Sequence, residues 1–396
     1  MKKKIALLIV IVLCLGMAAA CNSDSGSTSS PTTSESPSGS TSGAGVIPGV
    51  PQGYLEDDVD HYARDTYSIG FLSDTFSFLQ QSWYEGMVAF EQRLNIKMTS
   101  VDGQGSEDTY LANLELIETR GFDGVITICP PQVRVRASEL LNESGVPWIA
   151  FVNTILDDND RTVSPNVILD QYETGRRPMM WLIENYKTYW GDVDPSKVAL
   201  IVISTSTSVD LWDRVHGPIE IFNEYFPEGT QITIDCAATG LTGMAAISEE
   251  TTFDLVTATV SANPDIEYWM VTGSTEFFGV GSSRALEAMG YTPDNALVCV
   301  VGHGVNVVDW QSMTDDTVSV NMACLMISDL LYAAPAVSGI IALIDGRTTY
   351  DTMWLEKTPA NYKHGNDFGV WEVENRVVTR WNYQDYFDEV NAMLEM

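Results

Sequence analysis

Between residues 67 and 301, short and nearly continuous apolar runs alternate with longer stretches whose apolar residues recur at helical spacing. No other feature of the chain narrows its folding as much. A continuous apolar run reads as a strand covered on both faces, and such strands belong to parallel sheets flanked by helices. The spacing predicts strands at 67–72, 96–101, 124–128, 147–152 and 167–169, with helices at 80–94, 132–141 and 172–184. On the first of these helices Trp83, Met87 and Phe90 form one stripe. A second series follows, with strands at 198–204, 231–235, 268–272 and 297–301 and helices at 210–226, 249–262 and 276–289. Two series predict two α/β lobes of Rossmann-like build, each with a parallel sheet.

The tail is too short for a third domain. Residues 325–343 read as a long apolar helix broken or kinked at Pro335. Residues 349–355 read as a strand and 382–393 as a closing helix. The chain is therefore expected to cross between lobes three times, near Asp170, Asn321 and Gly346. The first lobe would comprise 66–170 plus 324–347, and the second 171–323 plus 348–396.

Composition removes several classes of function. Hydrophobic residues are 45% and charged residues 19% of the 396, a globular balance. A formal net charge of −33 opposes any phosphate backbone, so nucleic acid is excluded as a partner. Six dispersed cysteines do not make a disulfide framework. Cys129, Cys236, Cys299 and Cys324 sit in or beside apolar runs and read as buried thiols.

The N-terminus is an address. Lys2, Lys3 and Lys4 precede a short apolar stretch, then Ala18, Ala19, Ala20 and Cys21. Residues 1–20 read as a secretory signal, too short for a membrane span. The small residues before Cys21 resemble the lipobox of bacterial lipoproteins, with Ala18 where that family usually has leucine. The resemblance implies that Cys21 carries lipid and begins the mature chain; the alternative is an ordinary cleavage near Ala20. Residues 21–53 are dominated by Ser, Thr, Gly and Pro and form a tether. Its flexible part reaches roughly 25–30 Å. Residues 325–344 are the next most apolar run, but Ser328, Asp329 and Ser338 interrupt it.

In open parallel sheets a ligand sits beyond the carboxyl ends of the strands. That rule selects Ser73, Asp74 and Thr75; Cys129 and Pro130; Asn153; Asp170; residues 204–208; Ser274, Thr275 and Glu276; and Gly302 with His303. The set is dense in groups that both donate and accept hydrogen bonds, as a polyhydroxylated ligand requires.

The segments YSIGFLSDTFSFLQQSWYEG, RGFDGVITICPP, VPWIAFVNT, VILDQYETGRR, YWMVTGSTEFFGVGSSRA and VCVVGHG resemble, in order and spacing, the type I periplasmic-binding-protein-like family, and most of all arabinose- and ribose-binding proteins. The likeness covers about residues 66–390. It implies two lobes joined by a three-crossover hinge, and a receptor that closes over a sugar and delivers it to an ABC permease. By the same resemblance Arg214, in DLWDRVHG, falls where the family's second-lobe arginine bonds sugar oxygens, and Asp210 lies one helical turn before it. Asn153 follows WIAF at a polar contact position. Thr275 and Glu276, after Ser274, replace an Asn–Asp pair. His303, or Gly304 with a different gap, stands in the turn where the family has Asn or Asp. Phe76 and Phe78 fall near the aromatics that stack on the sugar, and Asp74 lies beside them. The substitutions at Asn153, Thr275–Glu276 and His303 mean that the sugar's identity does not transfer.

Plainer roles exist for these residues. Arg214 and Asp210 would also make an exposed helical ion pair. Asp74 would cap the next turn, Glu276 would complement a helix dipole, His303 would be structural, and Phe76 and Phe78 would be core. Nucleophile-elbow, zinc-protease, Walker A and dinucleotide motifs are missing, and the four histidines lack metal spacing. The reading is a monomeric, non-enzymatic binding protein for a monosaccharide or related polyol, without cofactor or metal, held by lipid to the outer face of the cell membrane. The alternative is a sensory module that passes occupancy to a membrane kinase or chemoreceptor, with the same fold and site.

Overall fold

The apolar runs pair into two six-stranded sheets. The computed structural model describes residues 59–159, 161–241, 245–304, 309–314, 316–359 and 367–395, with backbone alone at 78 and 395. Cys21 and the tether lie outside the described residues. Strands β1 (Tyr67–Ser73), β2 (Ile96–Asp102), β3 (Gly124–Ile128), β4 (Trp148–Val152) and β5 (Asn166–Ile168) join β11 (Val370–Glu372) in the first sheet. Its order is β11-β5-β4-β3-β1-β2, parallel throughout. Strands β6 (Val198–Ser204), β7 (Thr230–Asp235), β8 (Tyr268–Gly273), β9 (Ala296–Gly302) and β10 (Asn321–Met326) join β12 (Arg376–Thr379) in the second. Its order is β12-β10-β9-β8-β6-β7, with only β12 antiparallel. Both sheets belong to one compact unit.

The helices are α1 (Phe78–Val88), α2 (Glu91–Leu94), α3 (Glu107–Glu115), α4 (Ile117–Arg120), α5 (Arg134–Glu143), α6 (Gln171–Trp190), α7 (Val209–Asp213), α8 (His216–Tyr225), α9 (Glu249–Ala262), α10 (Glu276–Ala288), α11 (Asp329–Ile344) and α12 (Tyr383–Glu395). Every residue of β6, β9 and β10 is buried, as strands covered on both faces must be. Each fully buried Val, Leu or Ile there contributes about 1.5–3 kcal/mol. Trp83, Met87 and Phe90 are buried together as their spacing requires.

Four expectations need correction. The helix expected at 325–343 begins only at Asp329, because Leu325 and Met326 complete β10. A short apolar run alone does not separate a strand from a buried helix. Pro335 lies inside α11 without ending it, because Ala333, Ala334, Ala336 and Val337 are fully buried on either side. Residues 349–355 are turns and the start of a 3-10 helix, not a strand. Their threonines bond locally: Thr352 and Met353 donate backbone N–H to Thr349 O at 3.1 and 2.9 Å. The third crossing is not at Gly346. After α11 the chain stays with the first sheet through β11, then enters the second at β12. The passages are 169–170, 327–328 and 373–375, which places Asn321 at the start of β10 instead of at a crossing.

Between 102 and 124 the sequence reading assigned no helix, yet α3 and α4 lie there. The signal was present. Ser106 caps α3 by accepting from Thr109 N–H at 3.2 Å, Glu107 and Asp108 fill its first turn, and Tyr110 and Leu114 are one turn apart and buried.

The strands that return through 373–375 carry a charge out of balance. Burial, and then Asp170, hold the Glu372 carboxyl above its ordinary value of 4.5, while Arg177 partly offsets this. The folded chain therefore binds this proton more tightly than the unfolded chain. That contribution to stability is full below the unfolded value and is lost as pH rises through the folded one. Glu372→Gln is expected to melt higher than wild type at pH 7, with the gain shrinking towards pH 4.5. Thermal melts across that range check it; a variant less stable at pH 7 refutes the sign.

Candidate ligand-binding cleft

Parallel register brings the strand ends to one edge of each sheet. Ser73 pairs with Asp102 and Ile128 in the first sheet, and Ser204 with Asp235 in the second. At the second sheet's edge, Ser204 Oγ donates to Leu211 O at 2.8 Å and lies 3.0 Å from Ser274 Oγ. These two bonds fasten α7 across the ends of β6 and β8.

Arg214 follows the last turn of α7. It is only 9% exposed. Its Nε donates to Gln171 Oε1 at 2.7 Å and its Nη1 to Ser274 O at 2.7 Å. Both acceptors are neutral, and the burial contradicts an exposed helical pair. Nη2 makes no hydrogen bond to a described residue. Desolvation pulls the guanidinium down to about 10, against the opposing fields of Tyr332 and Asp210, so it stays charged at neutral pH. Gly175 of α6 makes this placement possible, since a Cβ there would lie 2.0 Å from the Arg214 carbonyl oxygen.

Tyr332, on α11 over the first sheet, is 1% exposed. Burial pushes its phenol far above the ordinary range, so it is neutral. Its ring packs 5.2 Å from Phe151 and 5.8 Å from Trp83. The phenol and the guanidinium, carried by different sheets, thus feel each other's field.

His303 follows β9. Its ring lies 6.4 Å from Trp83, and its Nδ1 is 3.5 Å from Asp329 Oδ1. The other Asp329 oxygen accepts from Ser82 Oγ of α1. Glu276 is buried and Oε2 accepts from Gly304 N–H at 2.8 Å. A Cβ at Gly302 would meet that oxygen at 2.6 Å, which explains the glycine. Glu276 therefore holds the turn that presents His303. Thr275 precedes α10, and its buried Oγ1 has no partner among the described residues.

The remaining sequence candidates divide. Asp210 and Ser274 gather around Arg214. Asn153 follows β4, whose last residue Val152 has a φ of 66°, rare for a β-branched residue. Asn153 N–H donates to Phe151 O at 2.7 Å, closing a tight three-residue turn. Asp74 does not cap α1. Ser77 occupies that position, and its backbone N–H donates to Gln80 Oε1 at 3.2 Å. The Asp74 carbonyl instead accepts from Gly105 N–H at 2.7 Å. Phe76 is half-buried and packs edge-on against Phe71 and Tyr84 at 5.7 and 6.0 Å, on the margin of the core. Phe78 opens α1, and its side chain lies outside the described atoms.

Sequence reasoning assigned none of Gln171, Tyr332 and Asp329 to the site, and it gave Trp83 to the core alone. Gln171 is one residue beyond the strand-end set. Tyr332 and Asp329 were hidden by reading 325–343 as one helix; once β10 ends and the chain crosses, the first turn of α11 falls at the strand ends.

Cys129, Cys236, Cys299 and Cys324 are buried thiols outside any disulfide, and burial pushes Cys129 to about 12 and Cys236 to about 11. Among the described residues, no group of three His, Cys, Asp or Glu side chains is placed to hold a metal, and no helix is long and apolar enough to cross a membrane.

The architecture has known counterparts. An ABC transporter periplasmic solute-binding protein of Actinobacillus succinogenes with bound D-allose superposes with a TM-score of 0.59 at 15% identity, over 81% of this chain and 100% of that one. The arabinose-transporter binding protein of Shewanella, bound to L-arabinofuranose, gives 0.57 at 15% over 83% and 98%. A Bacillus halodurans solute-binding protein with bound myo-inositol gives 0.57 at 14% over 82% and 98%. No family model and no curated protein matches the sequence. The chain has the two-lobed α/β fold of type I periplasmic solute-binding proteins.

Proposed function

We propose that this protein is an extracytoplasmic solute-binding lipoprotein that takes a sugar or sugar-like polyol between its sheets and presents it to an ABC importer. It is a binding protein and not an enzyme. Cys21 carries the lipid, residues 21–53 tether the body to the membrane's outer face, and the chain works as a monomer. The observation that carries the reading is Arg214: a buried, charged guanidinium at the strand ends, held by two neutral acceptors, with Nη2 bonded to none of the described residues. Asp210, Asn153, Ser274, Thr275, His303 and Asp74 supply further donors and acceptors. A sugar hydroxyl left unpaired on burial costs about 1–3 kcal/mol, so such a polar lining selects a polyhydroxylated molecule. Solute-binding proteins of the same fold hold D-allose, allitol, L-arabinofuranose and myo-inositol.

Groups on both sheets meet the ligand, so binding favours the arrangement in which the two sides approach. Thermal melts with D-allose, L-arabinose, allitol and myo-inositol test the proposal. At least one should raise the melting temperature, by an increment that grows with concentration and reaches about 2.7 kcal/mol at a hundred times Kd. A folded protein indifferent to all four contradicts it.

A further inference from the structure

Four polar atoms without a hydrogen-bond partner among the described residues lie at the strand ends: Trp83 Nε1, Thr275 Oγ1, and His303 Nδ1 and Asp329 Oδ1, which face each other at 3.5 Å. Three of them form one cluster. Trp83 is only 7% exposed, and its indole stands between Phe151, Tyr332 and His303. His303 comes from the second sheet and faces Asp329, whose other oxygen is fixed by Ser82, the residue before Trp83. The buried tryptophan of α1 therefore touches groups that surround the strand ends from both sheets. An indole N–H donates and never accepts. Left unpaired in such a place it costs free energy that a well-packed core avoids by turning the ring or using phenylalanine.

We propose that Trp83 is a specificity-determining residue: its Nε1–H donates to a ligand hydroxyl whose own proton goes to Asp329 Oδ1, with His303 closing over that end. The proposal rests on the sugar-binding reading above and adds a second recognition point, beside the one at Arg214. One hydroxyl satisfies both a donor and an acceptor. A deoxy analogue leaves both unpaired, and a carboxylate or phosphate satisfies Trp83 but confronts Asp329. The site thus selects a neutral ligand hydroxylated at this end, and a pocket built around a hydroxyl discriminates strongly against its absence.

The experiment titrates, by calorimetry, whichever of D-allose, L-arabinose, allitol and myo-inositol stabilises the wild type most, into wild type, Trp83→Phe and Asp329→Asn. Trp83→Phe keeps an aromatic ring but deletes the N–H together with the five-membered ring that carries it. Affinity should fall about ten- to hundred-fold in each folded variant. Trp83→Phe binding within about threefold of wild type overturns the proposal while leaving the sugar reading intact. Should Trp83→Phe not fold, Asp329→Asn decides by the same thresholds. No stabilisation of wild type by any of the four overturns both.

Discussion

Arg214→Ala is expected to weaken sugar binding by about 2–5 kcal/mol while the protein remains folded, as for loss of a buried, hydrogen-bonded charge. Two effects combine. The ligand loses a planar donor that can bond two oxygens at once. Ser274 O and Gln171 Oε1 also lose their donor and are left facing the ligand's space. Arg214→Lys should recover only part of the loss, because one ammonium does not reproduce bonds from Nε and Nη1 in their fixed directions. Calorimetric titration of the three proteins decides it. Equal affinity for Arg214→Ala and wild type would place the ligand elsewhere.

Gly175→Ala is expected to destabilise the fold by about 3 kcal/mol, at the upper end for overpacking a tight contact. The sign is informative. Alanine is the better helix former, and in an open helix this exchange would stabilise by about 0.4–1 kcal/mol. Gly175 is not open: the added Cβ would lie 2.0 Å from Arg214 O and 2.6 Å from its carbonyl carbon. Both are backbone atoms, so no side chain can swing aside, and α7 must move away from α6. Sugar affinity should then fall with stability, because the displaced segment carries Arg214. Urea unfolding measures the first effect and titration the second. A neutral or stabilising result would show that the two helices do not pack backbone to backbone.

Much of the fold was legible because several of its strands, β3, β4, β6 and β9 among them, are nearly continuous apolar runs of five to seven residues. The spans expected at 124–128, 198–204 and 249–262 coincide with β3, β6 and α9. What escaped was short or misjudged in period. Strands β11 and β12 have three and four residues, too few to show alternation, and their partners are distant in sequence. The helix expected at 210–226 hid the break at Arg214 that separates α7 from α8. The candidate site was legible as a set of strand ends, since the alternation of strand and helix fixes where those ends fall. That rule finds Ser204, Ser274 and His303 but says nothing of Trp83 or Tyr332, which enter from helices.

By itself the sequence determined two parallel sheets wrapped in helices, an acidic surface and a polar rim at the strand ends, because these follow from local periodicity and from charge. Only the tertiary structure decided which rim residues are already engaged and which still lack a partner. Glu276 is taken by Gly304, and Phe76 by the margin of the core. Arg214 meets Gln171, Ser274 and the field of Tyr332, positions 43, 60 and 118 residues away. Separations of that size are closed by where the chain crosses between sheets, and no local pattern encodes the crossing.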